Sequence, residues 1–386
     1  MHRNRPILLI ATDWFVPGYK AGGPIRSCLN VAYLMRDDFA VYVLTSDRDF
    51  GSHTPYPALQ TDQWTHFDEG IQVFYQSPQN SIDPLGKLTP DVVYLNSMFS
   101  PRYTLSFLWK KWRGKLSAKL VLAPRGMLHA GALQYKSLKK KLFLQLLQTA
   151  GIQKSVHFQA TDEQEETDIR KHFGENVHIS TIGNVPSQQQ AAWFPRKKQA
   201  GSLRLIFVSR IGPKKNLDFL LNCLQNRKGH IQFDIIGPVE DADYWARCQR
   251  LIDGLPSNIE VTHLGALPHD KIIDALQQAH VFALSTHGEN FGHAIFEAFQ
   301  AGLPVLISDQ TPWRNLQTHG IGWDISLHEQ AKFEAALQEA IDMEEGTYLA
   351  ISQAAWSFAR TFVEESGWKE AYLQLFSVAE NQTFSV

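Results

Sequence analysis

The sequence predicts an α/β protein made of two doubly wound domains. Three observations carry this. Short, continuously apolar runs recur along the chain with helical-period segments between them, and continuous rather than alternating apolarity marks strands of a parallel sheet covered on both faces. The pattern is interrupted by SQQQAAWFPRKKQAGS (187–202) and then restarts. With 386 residues, 44% of them apolar and 11% aromatic, the chain has material for two cores of ordinary size.

The elements follow in order. ILLIAT (7–12), VYVLTS (41–46), IQVFYQ (71–76), VVYLNS (92–97), KLVLAP (119–124) and VHFQAT (156–161) read as strands of a first parallel sheet, and VHISTIGN (177–184) closes it. This bounds a first domain at residues 1–186, with 187–202 as linker. A second domain over 203–363 repeats the plan with LRLIFVSR (203–210), FDIIG (233–237), VTHLG (261–265), VFALST (281–286), LPVLIS (303–308) and GWDI (322–325). The tail, 364–386, has helical spacing that puts Trp368, Tyr372, Leu375 and Phe376 near one face.

Composition narrows the function classes. A net charge of −2 argues against a nucleic-acid binder that relies on bulk electrostatics. Cys28, Cys223 and Cys248 are far apart and form no CxxC, so neither a disulfide framework nor a zinc site is expected, and a reducing cytoplasm fits. The apolar run near the N-terminus is too short for a signal-peptide core, and no segment approaches the ~20 apolar residues of a membrane span.

The stretch that carries most chemistry is 281–308, which reads strand, loop, helix, turn, strand. Glu289 and Glu297 stand at the ends of its loop–helix step with seven residues between them. The loop Asn290-Phe291-Gly292-His293-Ala294 lies where a helix N-terminus offers backbone N–H groups to a phosphate. Carboxylates flanking an anion site suit a ligand with both phosphate and hydroxyl groups. Glu297, one helical turn after His293, is the better diol anchor, and Glu289 suits sugar hydroxyls. The plainer alternatives are a loop charge for Glu289 and a backbone-satisfied buried carboxylate for Glu297. Upstream, Arg210 ends the first strand of the second domain, and Lys215 precedes a helix that Asn216 could cap. Ligands of open parallel sheets bind at the C-terminal strand ends, so this basic pair is expected on the same edge as the 287–293 loop, ready to neutralise a diphosphate. Otherwise both are solvated loop charges.

These residues, Arg210 and Lys215 followed by Glu289 and Glu297 within ENFGHAIFEAFQAGLPVLISDQTPW, resemble retaining glycosyltransferases of family 4, which have the GT-B fold: two Rossmann-like domains facing a central cleft. The resemblance is strongest over 203–325. It implies that Arg210, Lys215 and Glu289 are catalytic, the basic pair holding the donor diphosphate with help from the backbone of Phe291, Gly292, His293 and Ala294. It also implies that Glu297 binds the donor ribose, that Leu267 frames the nucleobase, and that the tail helix packs back on the first domain. Gly22 and Gly23, in DWFVPGYKAGGPIRS after the first strand, resemble the family's glycine loop, with Arg26 adding charge; the alternative is a purely structural turn. APRGMLHAGAL resembles the acceptor-side segment, but Arg125 stands where many relatives carry His, and His129 where Glu is frequent. Both are acceptor-side candidates or structural. Trp14 and Trp313 are expected near the cleft.

The implied function is transfer of a sugar from a nucleotide-diphosphate donor to a hydroxyl of a glycan or lipid-linked acceptor, in surface polysaccharide or lipopolysaccharide synthesis, without metal or other cofactor. The alternatives are a nucleotide-sugar epimerase of the same fold and a non-catalytic nucleotide-sugar-binding protein. Residues 135–148, YKSLKKKLFLQLLQ, form a basic amphipathic helix, either a solvated lysine face or a peripheral contact with anionic membrane.

Overall fold

The computed structural model describes residues 5–79, 83–86, 88–129, 137–188, 190 and 192–377. They form two compact units, Met1–Val185 with Gly367–Val386, and Pro186–Ser366.

The first unit is built on an eight-stranded sheet. Its strands are β1 (Ile7–Thr12), β2 (Ala40–Ser46), β3 (Trp64–Asp68), β4 (Ile71–Gln76), β5 (Val92–Asn96), β6 (Lys119–Ala123), β7 (Val156–Ala160) and β8 (His178–Thr181), in the spatial order β3-β4-β2-β1-β5-β6-β7-β8. The sheet is parallel except at its edge, where β3 runs antiparallel to β4. The sequence reading missed β3 because WTHFD is polar and lies half out of the core, so it has no continuous apolar run. Helices α1 (Gly23–Met35), α2 (Ser106–Trp112), α3 (Ser137–Thr149) and α4 (Glu163–Phe173) connect the strands. Along β1, Leu8 and Ile10 face the layer that holds α1, while Leu9 and Ala11 face the layer of α2, α3 and α4. Both alternating sets are apolar because both faces are covered, which is why the run reads as continuous.

The second unit is a six-stranded parallel sheet of β9 (Ser202–Val208), β10 (His230–Ile236), β11 (Ile259–Gly265), β12 (Val281–Leu284), β13 (Val305–Ser308) and β14 (Gly322–Ile325), ordered β11-β10-β9-β12-β13-β14. Helices α5 (Leu217–Leu224), α6 (Ala242–Asp253), α7 (His269–Gln278), α8 (His293–Gln300), α9 (Gln330–Asp342) and α10 (Glu345–Glu364) complete it. The order reverses between β9 and β12, which makes the C-terminal ends of these two strands the topological switch point where ligands of such sheets bind. The last helix, α11 (Trp368–Phe376), belongs to the first unit: Phe376 packs edge-on against Phe39 and Tyr94.

The segment 187–202, read as a linker, is strapped to the second unit. Arg196 and Lys198 are buried, not surface charges. The Arg196 guanidinium donates to the carbonyls of Gln277 (2.7 Å), Gly302 (3.1 Å) and Ala301, at the C-terminal ends of α7 and α8. Lys198 Nζ donates to Ile341 (3.0 Å) and Met343 (3.1 Å) at the end of α9. The last carbonyls of a helix have no partner within it and carry its negative dipole end, so two buried cations satisfy three helix termini. Of the amphipathic stretch 135–148, residues 135 and 136 lie outside the described residues.

Candidate active site

The switch point of the second unit is assembled from two loops. After β9 the chain is drawn towards β10: Ile211 N–H donates to Pro238 O (2.9 Å) and Glu240 N–H donates back to Ile211 O (2.9 Å). Gly237 allows this approach. At φ 147° it sits where a Cβ would lie 1.8 Å from Ser209 O, so no side chain fits. A short 3-10 turn, Pro213–Lys215, then leads into α5. Asn216 does not cap that helix through its side chain, as expected from sequence, but occupies the left-handed region at φ 55°, which Asn tolerates better than most residues.

The loop after β12 is sewn to this turn. Ser285 Oγ donates to Asn216 O (2.7 Å), Thr286 Oγ1 to Lys214 O (3.2 Å) and His287 N–H to Lys214 O (2.8 Å). The small polar residues that end the apolar run VFALST are therefore stitches between the loops. They bring Lys215 and Glu289 together as an ion pair whose side chains are only 13% and 14% exposed. Such a pair, largely withdrawn from water, is costly to break from one side, because the remaining charge loses its partner.

Beyond Glu289 the loop is anchored from below. Phe291 is buried against Trp313 (5.2 Å between rings) and Phe296, and Trp313 Nε1 donates to Phe291 O at 2.5 Å. Trp313 therefore supports the loop from the core. Gly292, at φ 77°, precedes α8 and offers no side chain to cap it. α8 begins four residues after Glu289, and Glu297 follows one turn into the helix, 8% exposed. Leu267 packs on the core just before α7, whose first residue, His269, brings Nδ1 to 3.8 Å from Glu297 Oε1. Asn290 is exposed, and His293 and Ala294 are half-buried at the helix start.

Arg210 lies on the same loop as Lys215 and pairs with Glu240, Nη1 to Oε1 2.7 Å, both side chains more than a third exposed. The carboxylate of Glu240 covers Gly212, where a Cβ would lie 3.3 Å from Oε2. Sequence reasoning missed Glu240 and His269. Each sits within a few residues of a strand end on the switch edge, and that position was the available signal.

The remaining candidates lie in the first unit. Its own order reverses between β1 and β5. Gly22, at φ 67° and ψ −123°, opens α1, with Gly23 as its first residue and Arg26 half-buried in its first turn. A Cβ on Gly22 would meet nothing within 4 Å, so glycine is required here by backbone conformation rather than by crowding. Asp49 holds the preceding loop by accepting from the N–H groups of Tyr19 (2.9 Å) and Lys20 (3.1 Å). Asp13, directly after β1, accepts from Ser100 Oγ (2.7 Å) in the segment after β5, and burial pushes its carboxyl pKa up. The sequence reading had not singled it out.

Arg125 is committed inside the unit. Held at φ 56°, it donates from Nε to Asn96 Oδ1 (2.8 Å), from Nη1 to Asn184 and from Nη2 to the Tyr94 hydroxyl. Tyr94 continues to Gln159, which in turn donates to the Tyr372 hydroxyl (2.8 Å) on α11. His129 is exposed at the end of a described segment, and residues 130–136 beyond it lie outside the described residues. Among the described residues no group of three or more His, Cys, Asp or Glu could hold a metal ion.

Residues 189–356 match the family model described as Glycosyl transferases group 1. The GtfA subunit of a UDP-N-acetylglucosamine–peptide N-acetylglucosaminyltransferase from Streptococcus agalactiae is 23% identical over 142 residues, 36% of this chain and 26% of that protein's length. Similar solved structures include Anabaena HepE in complex with UDP and glucose (TM-score 0.67, 16% identity, 97% of this chain and 100% of that one). Sucrose-phosphate synthase from Thermosynechococcus elongatus matches with a TM-score of 0.66, 15% identity and coverage of 96% and 97%. WaaG, a glycosyltransferase involved in lipopolysaccharide biosynthesis, matches with a TM-score of 0.60, 14% identity and coverage of 96% and 99%. These neighbours are GT-B glycosyltransferases, and at such identities the likeness establishes the fold.

Proposed function

We propose that this protein is a retaining glycosyltransferase that takes a sugar from a nucleotide-diphosphate donor and places it on a hydroxyl of a glycan or lipid-linked acceptor. The observation that carries the reading is the second unit's switch point, where the Arg210–Lys215 loop is stitched to the Glu289 loop that leads into α8. The group 1 match over the same residues supports it, and HepE, solved with UDP, favours UDP as the nucleotide.

In this reading the diphosphate takes Arg210 from Glu240 and shares Lys215, while the N–H groups at the start of α8 face its oxygens. The bond from the anomeric carbon to the β-phosphate oxygen breaks. The negative charge that develops on the phosphate is met by the guanidinium, the ammonium and the helix terminus, which supply the charge a metal provides elsewhere. The acceptor oxygen bonds to the anomeric carbon on the same face, and its proton passes to the departing phosphate. Glu297, with His269 beside it, holds the ribose hydroxyls, and Glu289 the hydroxyls of the transferred sugar. Gly22 and Gly23 offer backbone to the donor or acceptor. Asp13 joins Arg26 and His129 as an acceptor-side candidate, and Arg125 acts from below them as a positioning residue. Synthesis of a surface polysaccharide or lipopolysaccharide fits an acceptor of this class, and the basic stretch 135–148 is the proposed contact with anionic lipid.

Thermal unfolding with UDP, GDP and ADP tests the donor site: the cognate nucleotide at ~100 Kd adds about 2.7 kcal/mol, and no shift with any of them overturns the reading. Lys215→Ala and Glu297→Ala fold but lose transfer by about a hundredfold or more, the scale of a removed charge-stabilising group. Full activity in both refutes the assignment of the site.

A further inference from the structure

Residues 92–161 contain twelve Lys and Arg and no Asp or Glu, in a chain whose net charge is −2. The stretch runs from β5 to just past β7 and includes α2 and α3, which pack into the same core layer through Phe107, Leu108, Leu144 and Leu147. The turn Ile152–Ser155 after α3 packs against α2. Of these cations, Lys110 on α2 is paired with Asp83, while Arg113 and Lys115 at the end of α2 are exposed.

Two tryptophans stand out on the same helix. Trp109 and Trp112 of α2 are 52% and 51% exposed and stacked on one another, ring centroids 4.9 Å apart. Scattered exposed aromatics are normal on a protein surface, whereas two indoles exposed side by side form a contiguous apolar patch of the kind that marks an interaction site. Arg113 Cζ lies 5.3 Å from the Trp109 ring centre, and Lys115 is exposed two residues on. On α3, Leu146 is 59% exposed.

We infer that α2 docks this protein on an anionic lipid bilayer, with Trp109 and Trp112 seated at the headgroup level and Arg113 and Lys115 facing the lipid phosphates. Indole rings, apolar in body with one polar N–H, partition to the membrane interface, and basic side chains beside them add attraction to anionic headgroups. Among the described residues no helix is long and apolar enough to cross a membrane, so the contact is with the surface. Basic aromatic surfaces also bind single-stranded nucleic acid by stacking bases on open rings. The Trp109 ring is already engaged by Trp112 and by the Arg113 guanidinium, and insertion at a headgroup layer, unlike base stacking, needs no free ring face, which favours the bilayer. The inference extends the lipid contact proposed for 135–148 to a separate element and does not depend on the donor-site assignment.

The test is flotation of the full chain with vesicles of phosphatidylcholine alone and of phosphatidylcholine mixed with phosphatidylglycerol. The wild type floats with the mixed vesicles and not with phosphatidylcholine, and binding weakens as NaCl rises from ~50 to ~500 mM. Trp109→Ala with Trp112→Ala, and separately Arg113→Glu with Lys115→Glu, each lower binding about tenfold while keeping the thermal shift with UDP. Binding to anionic vesicles that survives both double substitutions, absence of vesicle binding in the wild type, or binding of an RNA oligonucleotide in its place overturns the proposal. A chain that floats normally and shows no shift with any nucleotide leaves this surface standing and refutes the donor site instead.

Discussion

At the scale of single residues, the two cations proposed to hold the donor are both paired. Arg210 rests on Glu240 and Lys215 on Glu289, so under the proposed function an incoming diphosphate exchanges one anion for another. Glu240 competes directly for the guanidinium, through an ion pair exposed enough that its worth is at most about 1 kcal/mol. Glu240→Gln therefore tightens UDP binding roughly threefold to fivefold, read by isothermal titration, and weakened binding would show that Glu240 orients Arg210 instead. Gly237 is constrained differently. With a Cβ position 1.8 Å from Ser209 O, Gly237→Ala forces β9 and β10 apart at their ends and lowers stability by about 3 kcal/mol or more in urea unfolding. These two residues were illegible in sequence for a shared reason. Glu240 looks like any loop acid, and Gly237 like any strand-ending glycine, until a neighbouring strand is placed beside them.

Among the elements, the strap over 187–202 shows how composition misleads. Basic, polar and Pro/Gly-containing sequence normally marks a solvated connector, yet Arg196 and Lys198 are buried on the C-terminal carbonyls of α7, α8 and α9. Arg196→Ala leaves the Gln277 and Ala301 carbonyls without this donor, Gly302 O keeping Ser352 Oγ (2.7 Å), and costs about 3 kcal/mol of stability, with Arg196→Lys recovering only part because an ammonium cannot reproduce the fork. Chemical denaturation of the full chain measures this, and an unchanged midpoint in Arg196→Ala would show that the strap is dispensable. The loop–α8 step was better exposed to sequence reasoning. Its strands are apolar on both faces, and its glycine and two carboxylates sit at spacings a helix N-terminus explains. The stitching of Ser285, Thr286 and His287 to the opposite loop was not visible, since it depends on β9 and β12 lying side by side although 72 residues separate Val208 from Val281.

For the whole molecule, acid is a weak point. His280 accepts from Arg204 N–H at Nδ1 (3.1 Å) and meets Lys197 O at Nε2 (3.0 Å), which assigns the proton of the neutral ring to Nε2. Burial lowers its pKa from 6.5 to about 4. Between these values the unfolded chain binds a proton that the folded one refuses. The stability is therefore complete above pH 6.5 and is lost as pH falls towards 4, by roughly 3 kcal/mol at most. His280→Gln flattens this part of the profile of Tm against pH, and a slope equal to wild type would place the acid sensitivity elsewhere. His157 in the first unit, also lowered to about 4 by burial, adds in the same direction but is less enclosed.

The sequence by itself determined the α/β class and most strand positions, because a strand covered on both faces must be apolar throughout. It also pointed to the loop–helix step between Glu289 and Glu297 and to the Arg210–Lys215 loop, because the chemistry of these elements is written in residue types a few positions apart. Tertiary structure alone decided the strand order that makes β9 and β12 neighbours, the counter-ions that Glu240 and Glu289 provide, the confinement of Arg125 to an internal network and the strap made of a supposed linker. Each of these is a contact between residues distant in the chain. Local periodicity reports which surface a residue covers, whereas its partner is set by how the sheets and helices close around it.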